Sequence, residues 1–153
     1  MSNTTTPDQV DVRGPRFVAW ITTVVLVATL LISGKSPLAA VIILGVQAVV
    51  FAIGAAAGPR RHPYGLIFAK VVAPRLSPVR EREPVAPLKF AQLVGLIFAA
   101  VAVAGFASGA VLVGVVATGG ALVAAFLNAA FGICLGCQLY PLVARLKPAH
   151  GTS

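Results

Sequence analysis

The sequence predicts an all-α integral membrane protein with four transmembrane helices and both termini in the cytoplasm. Of its 153 residues, 58% are hydrophobic and 10% are charged, whereas about a quarter of an ordinary soluble domain is charged. A soluble fold of this length cannot bury so much apolar surface. The composition therefore excludes a soluble enzyme, a secreted disulfide scaffold and a disordered tail.

Four uncharged apolar segments carry this prediction, since about 20 apolar residues cross roughly 30 Å of hydrocarbon. None contains Asp, Glu, Lys, Arg or His, which disfavours an ion pump or a proton-coupled transporter. The last two segments are separated by a predicted turn at Gly105–Gly109, with Gly119–Gly120 as the alternative position. The four predicted spans are 17–33, 38–57, 90–108 and 111–133.

Basic residues predict the orientation in the membrane. They concentrate in the proline-rich loop 58–89, whereas Lys35 is alone between the first two spans and none separates the last two. The positive-inside rule places this loop and both termini in the cytoplasm. The net charge of +8 then indicates anionic lipid headgroups as partners, not nucleic acid. Residues 1–12 and 148–153 are predicted to be flexible polar tails around a membrane domain over 13–147.

Small residues predict how the helices associate, because they allow helices to approach closely in lipid. We expect them to pack the four helices of one chain, with homo-oligomerisation through such a face as the alternative. Asn128 and Gln47 are expected to form hydrogen bonds between helices. The G-x-x-x-G pairs are Gly54/Gly58, Gly105/Gly109 and Gly132/Gly136, and a stripe at spacing four comprises Gly120, Ala124, Asn128, Gly132 and Gly136.

The chain's two cysteines form a C-x-x-C pair, Cys134 and Cys137, at the predicted cytoplasmic end of the last span. Two thiols at this spacing can close a small ring, which suits dithiol–disulfide chemistry. We expect Cys137 to be the more exposed thiol and Cys134 to resolve the intermediate, with the reverse order open. Two inert packed cysteines are the other interpretation. No metal site is predicted in one chain, although two subunits together would supply four thiolates for zinc.

A second candidate site is the basic triplet Arg60, Arg61 and His62. Such a cluster can bind a small anion, for example sulfite, thiosulfate or a phosphate headgroup. The alternative interpretation is a charged stop beside the lipid surface.

Four short motifs resemble a bacterial membrane family catalogued as domain of unknown function 4395, over about residues 10–146. The resemblance implies a small four-helix plasma-membrane protein without an assigned activity, whose cysteine pair is similar to Cys134 and Cys137. It also implies an association with thioredoxin-like or rhodanese-like sulfurtransferases. The motifs are Val10-Asp11-Val12-Arg13-Gly14-Pro15-Arg16, Arg60-x-x-Pro63-Tyr64-Gly65, Phe90-Ala91-Gln92 and Phe131-Gly132-x-Cys134-x-Gly136-Cys137.

Three functional hypotheses follow from these observations. The first is a thiol–disulfide or sulfane-sulfur relay with a soluble thioredoxin-like or rhodanese-like partner. The second is a non-enzymatic scaffold or assembly subunit with incidental cysteines, and the third is an oligomeric channel for small solutes or sulfur anions. The sequence assigns no cofactor, and a quinone or lipid between the spans stays open.

Overall fold

The computed structural model describes residues 9–146, which form six helices and a two-stranded antiparallel sheet. Four helices are long and apolar enough to cross a membrane, namely α1, α2, α4 and α5. The helices are α1 Arg13–Ser33, α2 Pro37–Ala57, α3 Pro63–Ile67, α4 Val85–Ser108, α5 Val111–Phe131 and α6 Leu135–Leu146, and the strands are β1 Gln9–Asp11 and β2 Arg82–Pro84.

The helix ends follow from residues that start or stop helices. The Ser36 hydroxyl accepts a hydrogen bond of 3.1 Å from the Ala39 amide, and Pro37 occupies the first turn of α2. Gly109 ends α4 with φ +87°, a conformation that side chains disfavour. The connection between the last two spans therefore lies at Gly109 and Ala110, while Gly119 and Gly120 lie inside α5.

The four long helices form a bundle in which α2 packs along α4 and α1 packs along α5. Gly105 allows α4 and α5 to approach closely, since a Cβ there would lie 2.6 Å from the Gly114 backbone nitrogen. Outward-facing residues such as Leu31 and Leu112 are each 75% exposed, as expected of a surface in contact with lipid. The buried centre comprises Leu26, Ala40, Leu44, Ala102, Phe106, Ala117 and Ala121.

Successive long helices run antiparallel, so the described chain has two distinct ends. The start of α1, residues 58–84, the end of α5 and all of α6 lie at one end, which we call the loop end. The short connections 34–36 and 109–110 lie at the other, the turn end.

Part of the expected N-terminal tail is ordered at the loop end. Residues 9–11 form β1, which pairs with β2. The Arg13 guanidinium donates hydrogen bonds to the Asp11 carboxylate at 2.8 Å and to the Ser77 carbonyl at 3.0 Å. The first of these lowers the pKa of Asp11. The N-terminal segment is thus tied to the basic loop, while the expected tail residues 1–8 and 148–153 lie outside the described range.

The basic loop is shorter and more structured than expected. It ends at Pro84, because α4 begins at Val85 and accommodates Pro87 in its first turn, where a missing amide costs little. Between the two ends of the loop, α3 continues as a π-helical turn and a 3₁₀ turn up to Arg75. Phe68 anchors this segment on α1, with its ring centroid 5.7 Å from that of Phe17.

Candidate functional site

The last span stops immediately before the cysteine pair. Gly132 adopts φ +70° and its amide donates to the Asn128 carbonyl at 3.0 Å, which is the usual left-handed glycine end of a helix. The expected small-residue stripe is therefore interrupted at Gly132, and Gly136 belongs to a separate helix. The chain can change direction at this point and carry Cys134 back toward the bundle.

Cys134 occupies the residue before α6, and Cys137 lies in its first turn. The two sulfurs are joined by a disulfide, with a Cα–Cα separation of 5.2 Å. The Cys137 amide donates a hydrogen bond of 3.1 Å to the Cys134 sulfur. Because helix N-termini carry partial positive charge, this position stabilises a thiolate on Cys134 when the disulfide is reduced.

Contacts with α4 hold α6 in place. Gly136 sits so close to α4 that a Cβ there would lie 2.7 Å from the Ala91 Cα. One turn further, the Tyr140 ring packs edge-on against the Phe90 ring, with 5.9 Å between the ring centroids. The cysteine pair is thus fixed to the loop end of the bundle by the helix that follows it.

Cys134 lines a partly open cavity of about 250 Å³ between α1, α4, α5 and α6, and Cys137 does not. Gln92 and Asn128 bring amide groups to this cavity. Asn128 was expected to pin two helices together, yet within residues 9–146 its side chain forms no hydrogen bond. Most of the wall is apolar and includes Val18, Phe51, Leu88, Phe98, Gly120 and Ala124.

A buried histidine holds one of these amides in place. His62 is 1% exposed, and its Nδ1 accepts a hydrogen bond of 3.2 Å from the Tyr64 amide. Its ring proton is therefore assigned to Nε2, which donates to the Gln92 Oε1 at 3.1 Å. Burial lowers the pKa of His62 to about 4, so the ring is neutral at pH 7.

The predicted anion site is not brought together. His62 is buried and neutral, whereas Arg61 is exposed at the surface. The Arg60 guanidinium donates to the Gln9 carbonyl of β1 at 2.8 Å, so this arginine joins the loop to the sheet. The predicted cluster requires Arg60, Arg61 and His62 on one surface, and burial removes His62 from it.

The glycines expected to pack helices divide into two groups. Gly54, Gly105 and Gly136 lie at close approaches within the chain; a Cβ on Gly54 would be 2.7 Å from the His62 ring and 2.8 Å from Gln92. The others end α2, α4 and α5 with positive φ, and they are Gly58, Gly109 and Gly132.

Gln47 also forms a hydrogen bond, but with the loop. Its side chain is fully buried in α2, and its Oε1 accepts from the Tyr64 hydroxyl at 2.8 Å. Its Nε2 has no hydrogen-bond partner among the residues that the structure describes. Tyr64 and His62 therefore anchor the start of the loop on two membrane helices.

Sequence reasoning missed the roles of Arg16 and Gln92. Arg16 donates to the carbonyls of Ala129 and Ala130 at 3.2 and 3.3 Å, so it caps the end of α5 just before the cysteines. Carbonyls at a helix end accept hydrogen bonds from a glycine cap, from water or from a cation, so the sequence does not show that Arg16 is one of the donors. Gln92 stands in a quoted motif, yet nothing in the sequence places it beside His62.

A family model described as a domain of unknown function (DUF4395) matches residues 10–145, from β1 almost to the end of α6. The chain belongs to this family. The DUF4395 match includes the cysteine pair, the buried histidine and both amides of the cavity. No curated protein and no solved structure matches the chain. Within residues 9–146, no group of three His, Cys, Asp or Glu side chains is placed to hold a metal ion.

Proposed function

We propose that this DUF4395 chain is a thiol–disulfide exchange protein of the bacterial plasma membrane, with Cys134 and Cys137 as its reactive pair. Its partner is a soluble thioredoxin-like or rhodanese-like protein that approaches the loop end. The observation that carries the proposal is the position of the pair at the start of α6, where the Cys137 amide meets the Cys134 sulfur.

The different environments of the two sulfurs support different roles. A thiolate leaves more readily when its negative charge is stabilised, and the helix N-terminus provides this for Cys134. Arg16 adds positive charge beside the turn that precedes Cys134, since a Cβ on Gly132 would lie 4.0 Å from its guanidinium carbon. Cys137 lies outside the cavity wall, so it is the sulfur assigned to the soluble partner.

Exchange with a partner dithiol then proceeds in two balanced steps. A partner thiolate attacks the Cys137 sulfur, the Cys134–Cys137 bond breaks, and its electron pair leaves on Cys134 as a thiolate. The partner's second thiolate attacks the partner sulfur of the mixed disulfide and releases Cys137 as a thiolate. Two electrons pass to the pair, which takes up protons as its pKa values require, and the partner becomes a disulfide.

The same pair can accept sulfane sulfur from a partner persulfide. In the reduced pair, the Cys137 thiolate attacks the outer sulfur, and the partner leaves as a thiolate. The Cys134 thiolate then attacks the Cys137 sulfur, closes the disulfide and releases hydrosulfide. A rhodanese-like partner would use this route, and a thioredoxin-like partner the first.

The distribution of charge supports a cytoplasmic loop end. Seven arginines and lysines lie between residues 60 and 89, whereas Lys35 is the one basic residue at the turn end of the described chain. Basic residues are retained on the cytoplasmic side during insertion. This orientation places the cysteine pair where a cytoplasmic protein can reach it.

The test uses the full chain in detergent, its single cysteine variants with their thiols reduced, and a soluble thioredoxin probe. The second cysteine of the probe is replaced by serine and its first is activated as a disulfide with thionitrobenzoate, which leaves when a thiolate of the chain attacks. Cys134→Ser leaves Cys137 without its resolving partner, so a mixed disulfide with the probe should accumulate. Cys137→Ser should trap at least tenfold less, and the double variant should trap none. Equal trapping by the two single variants would overturn the assigned roles, and a wild-type pair that neither thioredoxin nor a persulfide donor changes would overturn the function.

Acid-quenched thiol trapping in growing cells checks the function in its natural membrane. A pair that shifts between oxidised and reduced forms after a thiosulfate pulse is expected. The scaffold hypothesis would instead be favoured by two results together. The redox state of the pair would never change, and cells with the Cys134→Ala/Cys137→Ala variant would grow as wild-type cells do. Solute uptake into proteoliposomes by that same variant would favour the channel.

A further inference from the structure

We propose that the cavity beside Cys134 binds a quinone head group, which accepts the electrons of the Cys134/Cys137 dithiol. This inference rests on the proposed thiol–disulfide function and adds its membrane-side electron acceptor. Three features lie next to one another: Cys134, an apolar cavity between membrane-spanning helices, and two side-chain amides in its wall. Hydrogen bonds within residues 9–146 do not use up the donors of these amides.

The size and walls of the cavity suit a flat ring. An apolar cavity of about 150 Å³ is enough to bind benzene, and this one measures about 250 Å³. Aromatic and small residues form much of its wall, including Phe51, Phe98, Gly120 and Ala124. The cavity is partly open, so an isoprenoid tail can extend from the ring toward the surrounding lipid.

The two amides supply donors that match quinone carbonyls. The Gln92 Oε1 accepts a hydrogen bond from the neutral His62 ring, and within residues 9–146 no hydrogen bond uses its amide N–H groups. Gln92 is also a lining residue of the cavity. Asn128 lines the same cavity and forms no side-chain hydrogen bond within residues 9–146. Binding sites for small molecules commonly combine apolar walls with a few such groups that fix orientation. A ligand without acceptor atoms would leave both amides unpaired, at a cost in affinity.

Cys134 connects this site to the thiol chemistry. Cys134 is a lining residue of the cavity, whereas Cys137 is not and is assigned to the soluble partner. In the redox step the two sulfurs lose two electrons and form the disulfide bond. The quinone gains those electrons, and its two oxygens take one proton from the Cys137 thiol and one from water at the loop end. The products are the disulfide and a quinol.

The experiment uses the full chain in nanodiscs, reduced and freed of reductant without oxygen. The probe is decylubiquinone, whose fully substituted ring prevents thiol addition. Trp20, the one tryptophan of the chain, follows the cavity residues Val18 and Ala19 on α1 but is itself 46% exposed. Quenching of its fluorescence therefore counts as binding in the cavity only where Ala124→Leu reduces it. Absorbance reports quinol formation, and a thiol assay counts the sulfurs consumed. We expect saturable quenching, with one quinol formed for each two thiols lost.

Three variants connect binding to the cavity. Asn128→Leu removes one amide, and Ala124→Leu fills part of the space; each should weaken quinone binding about tenfold or more. Val123→Leu is the matched control, since Val123 is 57% exposed on the same helix and does not line the cavity. It should bind and reduce the quinone as the wild type does. Thermal melting checks that each variant is folded.

Separate outcomes distinguish this inference from the function on which it rests. A wild-type pair that exchanges with soluble thioredoxin, without saturable quenching or quinol formation, would overturn the quinone site alone. Equal quinol formation by Asn128→Leu, Ala124→Leu and Val123→Leu would also overturn it, because oxidation would then occur outside the cavity. Displacement of the probe by phospholipid, but not by a second quinone, would assign the cavity to lipid. A pair inert toward both thioredoxin and quinone would overturn both proposals.

Discussion

His62 shows how one residue joins the basic loop to the candidate site. Its ring lies between the Tyr64 amide and the Gln92 side chain, where only the neutral form satisfies both hydrogen bonds. Protonation would add a hydrogen to Nδ1, where it would face the Tyr64 N–H and replace the acceptor of that hydrogen bond. It would also place a charge in a buried position, which is unfavourable. The stability of the loop end should therefore depend on pH.

We predict that the protein loses stability as the pH falls from about 6.5 to about 4. Folding lowers the pKa of His62 from 6.5 to about 4. The neutral ring therefore makes its full contribution to the free energy of unfolding above pH 6.5, and this contribution is lost as the pH falls to about 4. The loss amounts to about 3 kcal/mol. Melting in detergent across this range measures it.

His62→Gln is the matched variant for this measurement, since glutamine can still form a hydrogen bond with Gln92 and does not titrate. The melting temperature of His62→Gln should lack the pH dependence that is due to His62. Glu83 has the opposite effect, because burial raises its pKa and its protonation favours the fold as the pH falls. An unchanged slope in His62→Gln would assign the pH dependence to other groups.

The roles of single residues could be predicted from the sequence only in part. The cysteine spacing is the basis of the proposed thiol chemistry, which stays a prediction. The burial of His62 was not predicted, since Arg60 and Arg61 suggest an exposed cluster. A histidine before a proline can also mark a helix start, and here His62 is that residue for α3. Which of two adjacent polar residues turns inward depends on contacts with α4 that the sequence does not show.

At the scale of elements, two glycines with the same backbone conformation have different consequences. Gly109 and Gly132 both have positive φ, and a Cβ on either meets nothing closer than 4.0 Å. A side chain at either position therefore adds strain without a clash. Only Gly132 sets the direction of the chain into the cysteine pair.

We predict that Gly132→Ala and Gly109→Ala each lower the free energy of unfolding by about 1–2 kcal/mol. Gly132→Ala alone should change the rate at which dithiothreitol reduces the Cys134–Cys137 disulfide, because it shifts the segment that carries Cys134. Timed thiol labelling measures this rate. The same change in both variants would show that reactivity follows overall stability and not the turn.

The hairpin of α4 and α5 provides a second element-scale prediction. Gly105→Ala places a Cβ against the Gly114 backbone, which cannot move aside cheaply, so a loss of about 1–3 kcal/mol is expected. Gly119→Ala is the control, since nothing lies within 4 Å of its Cβ position inside α5. It should be neutral or slightly stabilising. Melting temperatures of the two variants test this difference.

Hydrophobicity predicts the long helices well, because each span requires an uninterrupted apolar run. The interruption at Gly132 was missed, since glycines at spacing four also describe a packing stripe. The strand β1 was missed too, although Val10 and Val12 alternate with polar residues, a period typical of strands. Its pairing depends on a partner about seventy residues away, and local sequence carries no information about that partner.

At the scale of the whole molecule, orientation is the property that decides which compartment meets the cysteines. We predict that Arg80→Cys, in a background without Cys134 and Cys137, is labelled by a membrane-impermeant maleimide only after cells are opened. Ser36→Cys at the turn end should be labelled on intact spheroplasts. The reverse pattern would place the reactive pair outside the cytoplasm and would require a different class of partner.

The pairing of β1 with β2 has a consequence for biosynthesis. Residues 9–11 leave the ribosome before residues 82–84, which emerge only after α1 and α2 have been made. Until then β1 has no strand with which to pair, and it must stay on the side of the membrane to which the basic loop will be delivered. Translocation of residues 9–11 across the membrane would prevent this sheet from forming. The side of the membrane on which α1 leaves residues 9–11 therefore decides whether the sheet can form, and it can form only after β2 has been made, immediately before α4.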